Sequence, residues 1–146
     1  MKEGKYLYNT NKTISEKGAK NKSSIPKNSL IMSFKLTIGR LAILGTDMYT
    51  NEAICNFKWK KADVSTEYMY YYLNSINIAK YGSQAAKGVT LNNDSLETIP
   101  TKMPKLKEQE KITKFLTSTD KKTGQINIEL EKTKEFKKGL LQMMFC

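Results

Sequence analysis

The chain has 146 residues and a formal net charge of +11, with 25 Lys and Arg side chains against 14 Asp and Glu side chains. This length predicts one domain with an appendage, and the charge predicts attraction to a polyanion, with a surface of solvated lysines as the alternative. The sequence contains no histidine, which removes the commonest general base and the commonest metal ligand. Composition therefore argues against an enzyme and predicts neither a metal nor a cofactor.

The N-terminal part predicts a loop that leads into β-structure. The first 29 residues are polar and predict a short strand near Tyr6 followed by loop. Alternating apolar side chains from Leu30 onwards predict a strand with a period of two. A second strand is predicted over residues 36–44, with Gly39 inside it as a bulge or a point of close backbone approach.

The middle of the chain predicts a third strand and a helix. Residues 53–59 are rich in β-branched and aromatic side chains, which favour a strand. Thr66 is a plausible N-cap for a helix that continues over residues 68–78 and ends at Gly82. Tyr72 is expected in the core, while neighbouring tyrosines offer a stacking surface for bases as the alternative.

The stretch from Pro104 to Cys146 predicts one long helix, with Pro104 just before its first turn and Glu108 at the positive end of its dipole. Steps of four and three residues define a heptad seam in which six of ten positions are apolar and three are threonine. The seam positions are Ile112, Leu116, Thr119, Thr123, Ile126, Leu130, Thr133, Lys137, Leu140 and Met144. Two shorter helices broken near Gly124 are the alternative, because mid-helix glycine costs roughly 1 kcal/mol. Continuity of the seam favours one helix of about 60 Å, which needs a partner.

The fold class expected from these elements is α+β, a small mixed globule followed by one long helix. Cys55 and Cys146 are isolated and lack metal-ligand spacing, which fits a reduced, cytoplasmic setting. No apolar run reaches the length of a membrane span, and the first residues lack the apolar block of a signal peptide. We therefore expect a cytoplasmic protein without membrane contact.

Side chains suited to DNA occur at the predicted strand ends and in the loops. Asn and Gln contact adenine, Arg contacts guanine, and Lys and Thr contact phosphate or base edges. Residues 81–94 predict a flexible loop around one short strand, with Asp94 capping a helical turn. The candidates are Lys20, Lys22, Lys35, Thr37, Arg40, Tyr49, Asn51, Ser83, Gln84, Lys87 and Thr90. Each has a structural alternative: Asn51 as a turn former and Lys87 as a solvated charge are examples.

Three blocks of sequence carry a family resemblance. The first comprises residues 14–21, 25–33 and 37–43, the last of which begins Thr-Ile-Gly-Arg; the second comprises residues 50–54, the tyrosine-rich helix and residues 82–90. The third joins residues 96–100, Pro-Lys-Leu-Lys-Glu-Gln-Glu-Lys-Ile at 104–112 and Lys-Lys-Gly-Leu-Leu-Gln-Met-Met-Phe at 137–145. In this order the blocks resemble the specificity subunits of type I restriction–modification systems.

The resemblance implies a target recognition domain over residues 1–103, truncated at its N-terminus, and a spacer helix over residues 104–146. Family members carry two of each, so the resemblance implies a half subunit. Such a chain would bind double-stranded DNA, pair its helix antiparallel with a second copy or another specificity subunit, and dock methyltransferase subunits and, through them, the restriction subunit. An assembly or interference partner that reads no DNA sequence is the alternative, and a basic RNA-binding protein is a third hypothesis.

Overall fold

The computed structural model describes residues 4–20, 22–35, 37–85 and 88–145, and for residues 83–85, 88–90 and 93 it describes the backbone. The chain forms two compact units that divide between Glu110 and Lys111. The first unit is the α+β globule that the sequence predicts, and the second is helical. Within the described residues, no helix combines the length and apolar character needed to cross a membrane.

A four-stranded mixed sheet forms the centre of the globule. Its strands are β1 (Tyr6–Leu7), β2 (Leu30–Ser33), β3 (Arg40–Leu44) and β4 (Ile54–Phe57). The spatial order is β1-β3-β2-β4, with β1 parallel to β3 and the other pairs antiparallel. A one-turn helix that was not predicted, α1 (Glu16–Ala19), lies between β1 and β2 and is capped by the Ser15 hydroxyl.

Both faces of the sheet are apolar. Leu30, Met32 and Ile43 are buried in the main core, together with Met69 and Leu73 of the following helix. The alternate residues Ile31, Ala42 and Leu44 form a second buried cluster, because successive side chains of a strand point to opposite faces. Partly buried Leu7, Ile25, Met48 and Ile54 pack against this second cluster.

Gly39 lies outside the strand that was predicted to contain it. β3 begins at Arg40, and Gly39 belongs to the turn between β2 and β3, where its amide donates to the Ser33 carbonyl at 2.9 Å. Its φ of +80° is a conformation that glycine adopts without strain. An added Cβ would lie 3.4 Å from the Cβ of Ile78, which is ordinary van der Waals contact, so the positive φ is what favours glycine here.

Helix α2 (Thr66–Asn74) is capped by Ser65 rather than by Thr66, because the Ser65 hydroxyl accepts from the Tyr68 amide at 3.3 Å. The hydroxyl of Thr66 instead accepts from the Trp59 indole N–H at 2.9 Å. Gly82 does not end α2 as predicted. It follows a separate 3₁₀ turn, Ile78–Tyr81.

The segment after this turn contains two strands rather than the single one predicted. β5 (Ser83–Ala85) and β6 (Gly88–Thr90) pair antiparallel as a hairpin. The next helix, α3 (Asn93–Glu97), is capped by Asn92 rather than Asp94, because the Asn92 side chain accepts from the Ser95 amide at 2.7 Å.

The prediction of one continuous C-terminal helix is confirmed, since α4 (Leu106–Phe145) is a single helix of 40 residues. It begins just after Pro104, as expected. The helix passes through Gly124, where an added Cβ would meet no atom within 4 Å. Gly124 is therefore tolerated within the helix and does not divide it.

Candidate nucleic-acid interface and helix seam

The turn between β2 and β3 presents three of the candidate DNA-binding side chains. Lys35, Thr37 and Arg40 are all exposed. The turn is held by its own hydroxyls: Ser33 Oγ donates to the Lys35 carbonyl at 2.9 Å, and Thr37 Oγ1 donates to Ser33 Oγ at 3.2 Å. Thr37 therefore shapes the turn, and Lys35 and Arg40 remain the charged groups that it carries.

Strand register brings Asn51 to the same end of the sheet. Ser33 pairs with Arg40 on one side and with Ile54 on the other, so the turn and the start of β4 lie together. Asn51 is exposed just before β4, and its Oδ1 accepts from the Ala53 amide at 3.1 Å. Asn51 is thus a turn former, which is the structural alternative that the sequence offered. We call this exposed group, Lys35, Arg40 and Asn51, the turn end of the globule.

A groove on the face of the second cluster collects further candidates. It has a volume of about 840 Å³, and Ile31 and Leu44 contribute to its apolar lining. Lys22, Tyr49 and Asn51 line it together with Asn9, Asn11, Lys12 and Glu52. Amide and ammonium groups beside an apolar surface suit contacts with bases and phosphates, whereas the Glu52 carboxylate repels phosphate.

The remaining candidates are not brought to these two places by the described structure. Lys20 is an exposed residue at the end of α1, where its amide donates to the Glu16 carbonyl at 3.0 Å. The backbones of Ser83, Gln84 and Thr90 belong to the β5–β6 hairpin. The side chains of these three residues and all of Lys87 lie outside the described part of the chain.

The tyrosines of α2 hold the segment that leads to α4. Tyr68 Oη donates to the Lys102 carbonyl at 2.8 Å, and Tyr72 Oη donates to the Pro100 carbonyl at 2.9 Å. Burial raises the pKa of the Tyr68 phenol, which keeps it a hydrogen-bond donor. Tyr72 is half-buried against the main core, as its sequence context predicts. Both hydroxyls are therefore engaged within the globule.

A charged cluster joins β1 to α2. Lys5 Nζ lies 3.0 Å from Glu67 Oε1 and 4.7 Å from the centre of the Tyr71 ring, and the Tyr6 hydroxyl donates to the same carboxylate. Burial acts to raise the pKa of the Glu67 carboxyl, but the bonds from Tyr6 and Lys5 outweigh it and the pKa is lowered. Lys5 is thus engaged within the globule.

The start of α4 contains a buried polar residue that sequence reasoning missed. The side chain of Gln109 is 0% exposed. Its Oε1 accepts from the Ser65 amide at 2.8 Å, and its Nε2 donates to the carbonyls of Asp63 and Pro104 at 2.9 and 2.8 Å. Both amide hydrogens and the amide oxygen are therefore used. The Glu-Gln pair of the 104–112 block was the available signal, but a side chain's tertiary partners are not visible in a sequence.

The predicted seam is exposed along α4. The exposed fractions of Ile126, Leu130 and Met144 are 62%, 48% and 72%. Phe115 and Leu141 lie on the same side at about 100° per residue, so the apolar stripe spans about 120° of the helix surface. Ile112 and Leu140 are exposed seam positions, and Leu116 is half-buried. We call this surface the apolar stripe.

The threonine hydroxyls of the seam form hydrogen bonds within the helix itself. The Oγ1 atoms of Thr119, Thr123 and Thr133 donate to the carbonyls four residues earlier, at 3.1, 3.1 and 2.8 Å. A threonine hydroxyl satisfied in this way needs no bond from a partner. The seam is consequently less polar than its sequence suggests.

An exposed basic end on the globule and an exposed apolar stripe on the long helix are features typical of proteins that bind other macromolecules. The model of the type I restriction modification DNA specificity domain family matches residues 2–132. The chain belongs to this family, whose members are the non-catalytic, DNA-recognising components of type I restriction–modification systems.

Individual relatives agree with the family assignment. The chain is 28% identical over 120 residues to the type I restriction enzyme MjaIX specificity subunit of Methanocaldococcus jannaschii, an alignment that covers 79% of this chain and 28% of that protein. This chain also superposes on one chain of a solved structure, with a TM-score of 0.62 at 11% identity. That structure concerns complex assembly and conformational transition of a type I R-M system. That match covers 72% of this chain and 26% of the other, and it shows the shared fold. The chain thus spans about a quarter of the length of these proteins.

Proposed function

We propose that this chain is a half subunit of a type I specificity subunit, with one recognition domain truncated at its N-terminus and one spacer helix. The globule recognises a DNA half-site, and α4 pairs antiparallel as a coiled coil with the same helix of a second copy or of another specificity subunit. The pair docks methyltransferase subunits and, through them, the restriction subunit. The recognition domain comprises residues 1–103 and the spacer helix residues 104–146.

The family match carries this proposal, and the turn end supports its DNA-binding part. Lys35 and Arg40 supply positive charge, and Arg40 offers the planar fork that contacts guanine bidentately. The side-chain amide of Asn51 is suited to adenine. Two of these groups sit on one short turn whose shape is held by internal hydrogen bonds, which limits the entropy lost on binding.

The apolar stripe supports the pairing part of the proposal. A coiled-coil seam buries residues spaced four and three apart, which is the spacing of Ile112, Leu116, Ile126 and Leu130. A two-fold axis lets one stripe cover an identical stripe, because the same patch then contributes to both sides. The internally bonded threonines lower the cost of that burial.

The DNA-binding part is tested with charge-matched variants of the full chain. Lys35→Gln with Arg40→Gln removes two charges at the turn end, and Lys58→Gln with Lys60→Gln removes two exposed charges beyond β4, whose Phe57 pairs with Leu30 at the opposite end of the sheet. The turn-end variant should lose affinity for duplex DNA and lower the slope of log K against log salt by up to about 2, at roughly 0.9 per phosphate contact. Equal losses in the two variants would reject the turn end as the interface.

Sequence reading is tested separately with Arg40→Lys, which keeps the charge and removes the fork. A duplex selected by the wild type from a random-sequence pool is compared with its scrambled form. Loss of a bidentate contact should reduce the ratio of the two affinities by about tenfold or more. A wild type that selects no sequence, yet binds a purified methyltransferase subunit tightly, would identify the chain as an assembly partner that does not read DNA.

Pairing is tested within the helix. Ile126→Lys with Leu130→Lys places charges on the apolar stripe, whereas Ile128→Lys places one on an exposed position off the stripe. Light scattering after size-exclusion chromatography should give a monomer mass for the first variant and a dimer mass for the second. A chain shortened before Ile126 should also be monomeric, and a dimer mass for it rules out the seam.

A further inference from the structure

The first half of the second unit carries a concentrated face of lysines. Lys111, Lys114, Lys121 and Lys122 are exposed. At about 100° per residue they fall within an arc of about 100° on α4, and the polar residues Ser118 and Gln125 lie within the same arc. Asp120 is the acidic residue of this region and lies on the other side of the helix. We call these four lysines the lysine face.

This clustering is not a general property of the helix. Farther along, Glu129, Glu131 and Glu135 alternate with lysines, and Lys134 forms an ion pair with Glu131 at 2.7 Å. In the lysine face, Lys111 and Lys114 are three residues apart, and like charges at that spacing oppose helix formation. Opposite charges spread along the first half would stabilise the helix better than this concentration of positive charge.

Helix pairing leaves three of the four lysines uncovered. Lys111, Lys114 and Lys121 occupy heptad positions outside the seam, at about 80°, 140° and 160° from the centre of the apolar stripe, and Lys122 flanks the stripe at about 60°. A partner helix seated on the stripe therefore leaves their ammonium groups in contact with solvent. From Lys111 to Lys121 the helix rises about 15 Å, a length over which duplex DNA carries roughly nine phosphate charges.

We propose that the lysine face is a second, sequence-independent contact surface for the DNA phosphate backbone, which rests on the proposed DNA-binding function. Lysine is a compact point charge on a flexible stem, so it attracts phosphate without the bidentate base contact that arginine makes. All four charges of the face are lysines. The helix thus contacts the duplex through charge and not through bases.

The test uses the full chain and a mixed-sequence DNA duplex. Lys114→Gln with Lys121→Gln is compared with Lys134→Gln with Lys138→Gln, which removes the same charge from other sides of the same helix. Between about 50 and 200 mM salt, the affinity of the wild type should fall about tenfold more than that of the lysine-face variant, because two phosphate contacts contribute a slope of about 1.8. The control variant should keep the wild-type slope. Dimer mass should be the same in all three proteins, and the ellipticity of the lysine-face variant should be no lower than that of the wild type.

Specificity provides the second readout. The ratio of affinities for selected and scrambled duplexes should be unchanged in the lysine-face variant, because phosphate contacts carry no sequence information. Equal slopes for the lysine-face and control variants would overturn the proposal. It would also be overturned if single-stranded RNA competed for the wild type more strongly than duplex DNA and lost that advantage in the lysine-face variant. Loss of binding in the turn-end variant with none in the lysine-face variant rejects this inference alone, whereas a wild type that binds no duplex rejects the proposed function as well.

Discussion

Replacing Gln109 by alanine should strongly destabilise the globule, because the side-chain amide of Gln109 joins two separate segments of the chain. It binds three backbone groups: the Ser65 N–H and the carbonyls of Asp63 and Pro104. These groups belong to the segment before α2 and to the residues before α4. Alanine leaves all three without this partner in a site where the glutamine was fully buried.

The expected magnitude follows from the three orphaned groups. A buried donor or acceptor that loses its partner costs about 1–3 kcal/mol, and a carbonyl with a second lone pair sits at the lower end. One N–H and two carbonyls then give a loss of about 3–5 kcal/mol. Because small domains are stable by about 5–15 kcal/mol, the variant should lose a large part of the free energy of unfolding.

Urea unfolding followed by fluorescence measures this loss. The sequence has one tryptophan, Trp59, whose indole N–H donates to Thr66 at 2.9 Å beside the affected segment. Gln125→Ala, at an exposed position of the same helix, is the control and should leave the midpoint unchanged or slightly raised. A Gln109→Ala midpoint equal to that of the wild type would refute the role assigned to the amide.

Gln109→Glu separates hydrogen bonding from packing. The carboxylate keeps the size of the side chain and can still accept from Ser65, but it repels the carbonyls of Asp63 and Pro104. Burial raises the pKa of such a carboxyl above its unfolded value, so its favourable contribution is present at low pH and lost as pH rises. The deficit of this variant relative to the wild type should therefore shrink on acidification, whereas the deficit of Gln109→Ala should not.

Two glycines and one carboxylate give further expectations. Gly39→Ala should destabilise the globule by about 1–2 kcal/mol, because a side chain at positive φ is strained. Gly124→Ala should have the opposite effect and raise helix stability by up to about 1 kcal/mol, since open space surrounds that position. Thermal unfolding followed by ellipticity measures both changes, and changes of the same sign would contradict the two assignments. Glu67→Gln removes a carboxylate whose pKa is lowered in the fold, so the stability difference from the wild type should be constant above pH about 5 and shrink as pH falls below about 4. A difference that grows on acidification would contradict the role of Lys5 and Tyr6 as its partners.

The features predicted from sequence are those encoded by local periodicity. The alternation from Leu30 and the seam through Ile126 are regular patterns, and β2 and α4 form where they occur. Caps were predicted less well, because neighbouring residues compete for the same role. Ser65 and Thr66 are both good N-caps, and the choice is settled by Trp59, which takes the Thr66 hydroxyl as an acceptor.

The candidate site depends on pairing that no local pattern specifies. Asn51 and Arg40 are eleven positions apart, and they share one end of the sheet because Ser33 pairs with both neighbouring strands. The predicted position of Gly39 was wrong for a related reason, since the turn from β2 to β3 forms before the apolar run of β3 begins. Gln109 could not be found from its type alone, because its partners at Ser65 and Asp63 lie more than forty residues away.

Pairing of α4 should also stabilise α4 as a helix. Most helical stability in proteins comes from burying an apolar face, and side chains such as Ile126 and Leu130 are largely exposed on α4. Lysines that repel one another on the first half of the helix lower its stability further. Charges placed on the apolar stripe should therefore reduce helical ellipticity together with dimer mass, while Trp59 fluorescence keeps its folded signal. A monomeric variant with full ellipticity would mean that α4 is stable without a partner, and the apolar stripe would then need no cover to keep the helix folded.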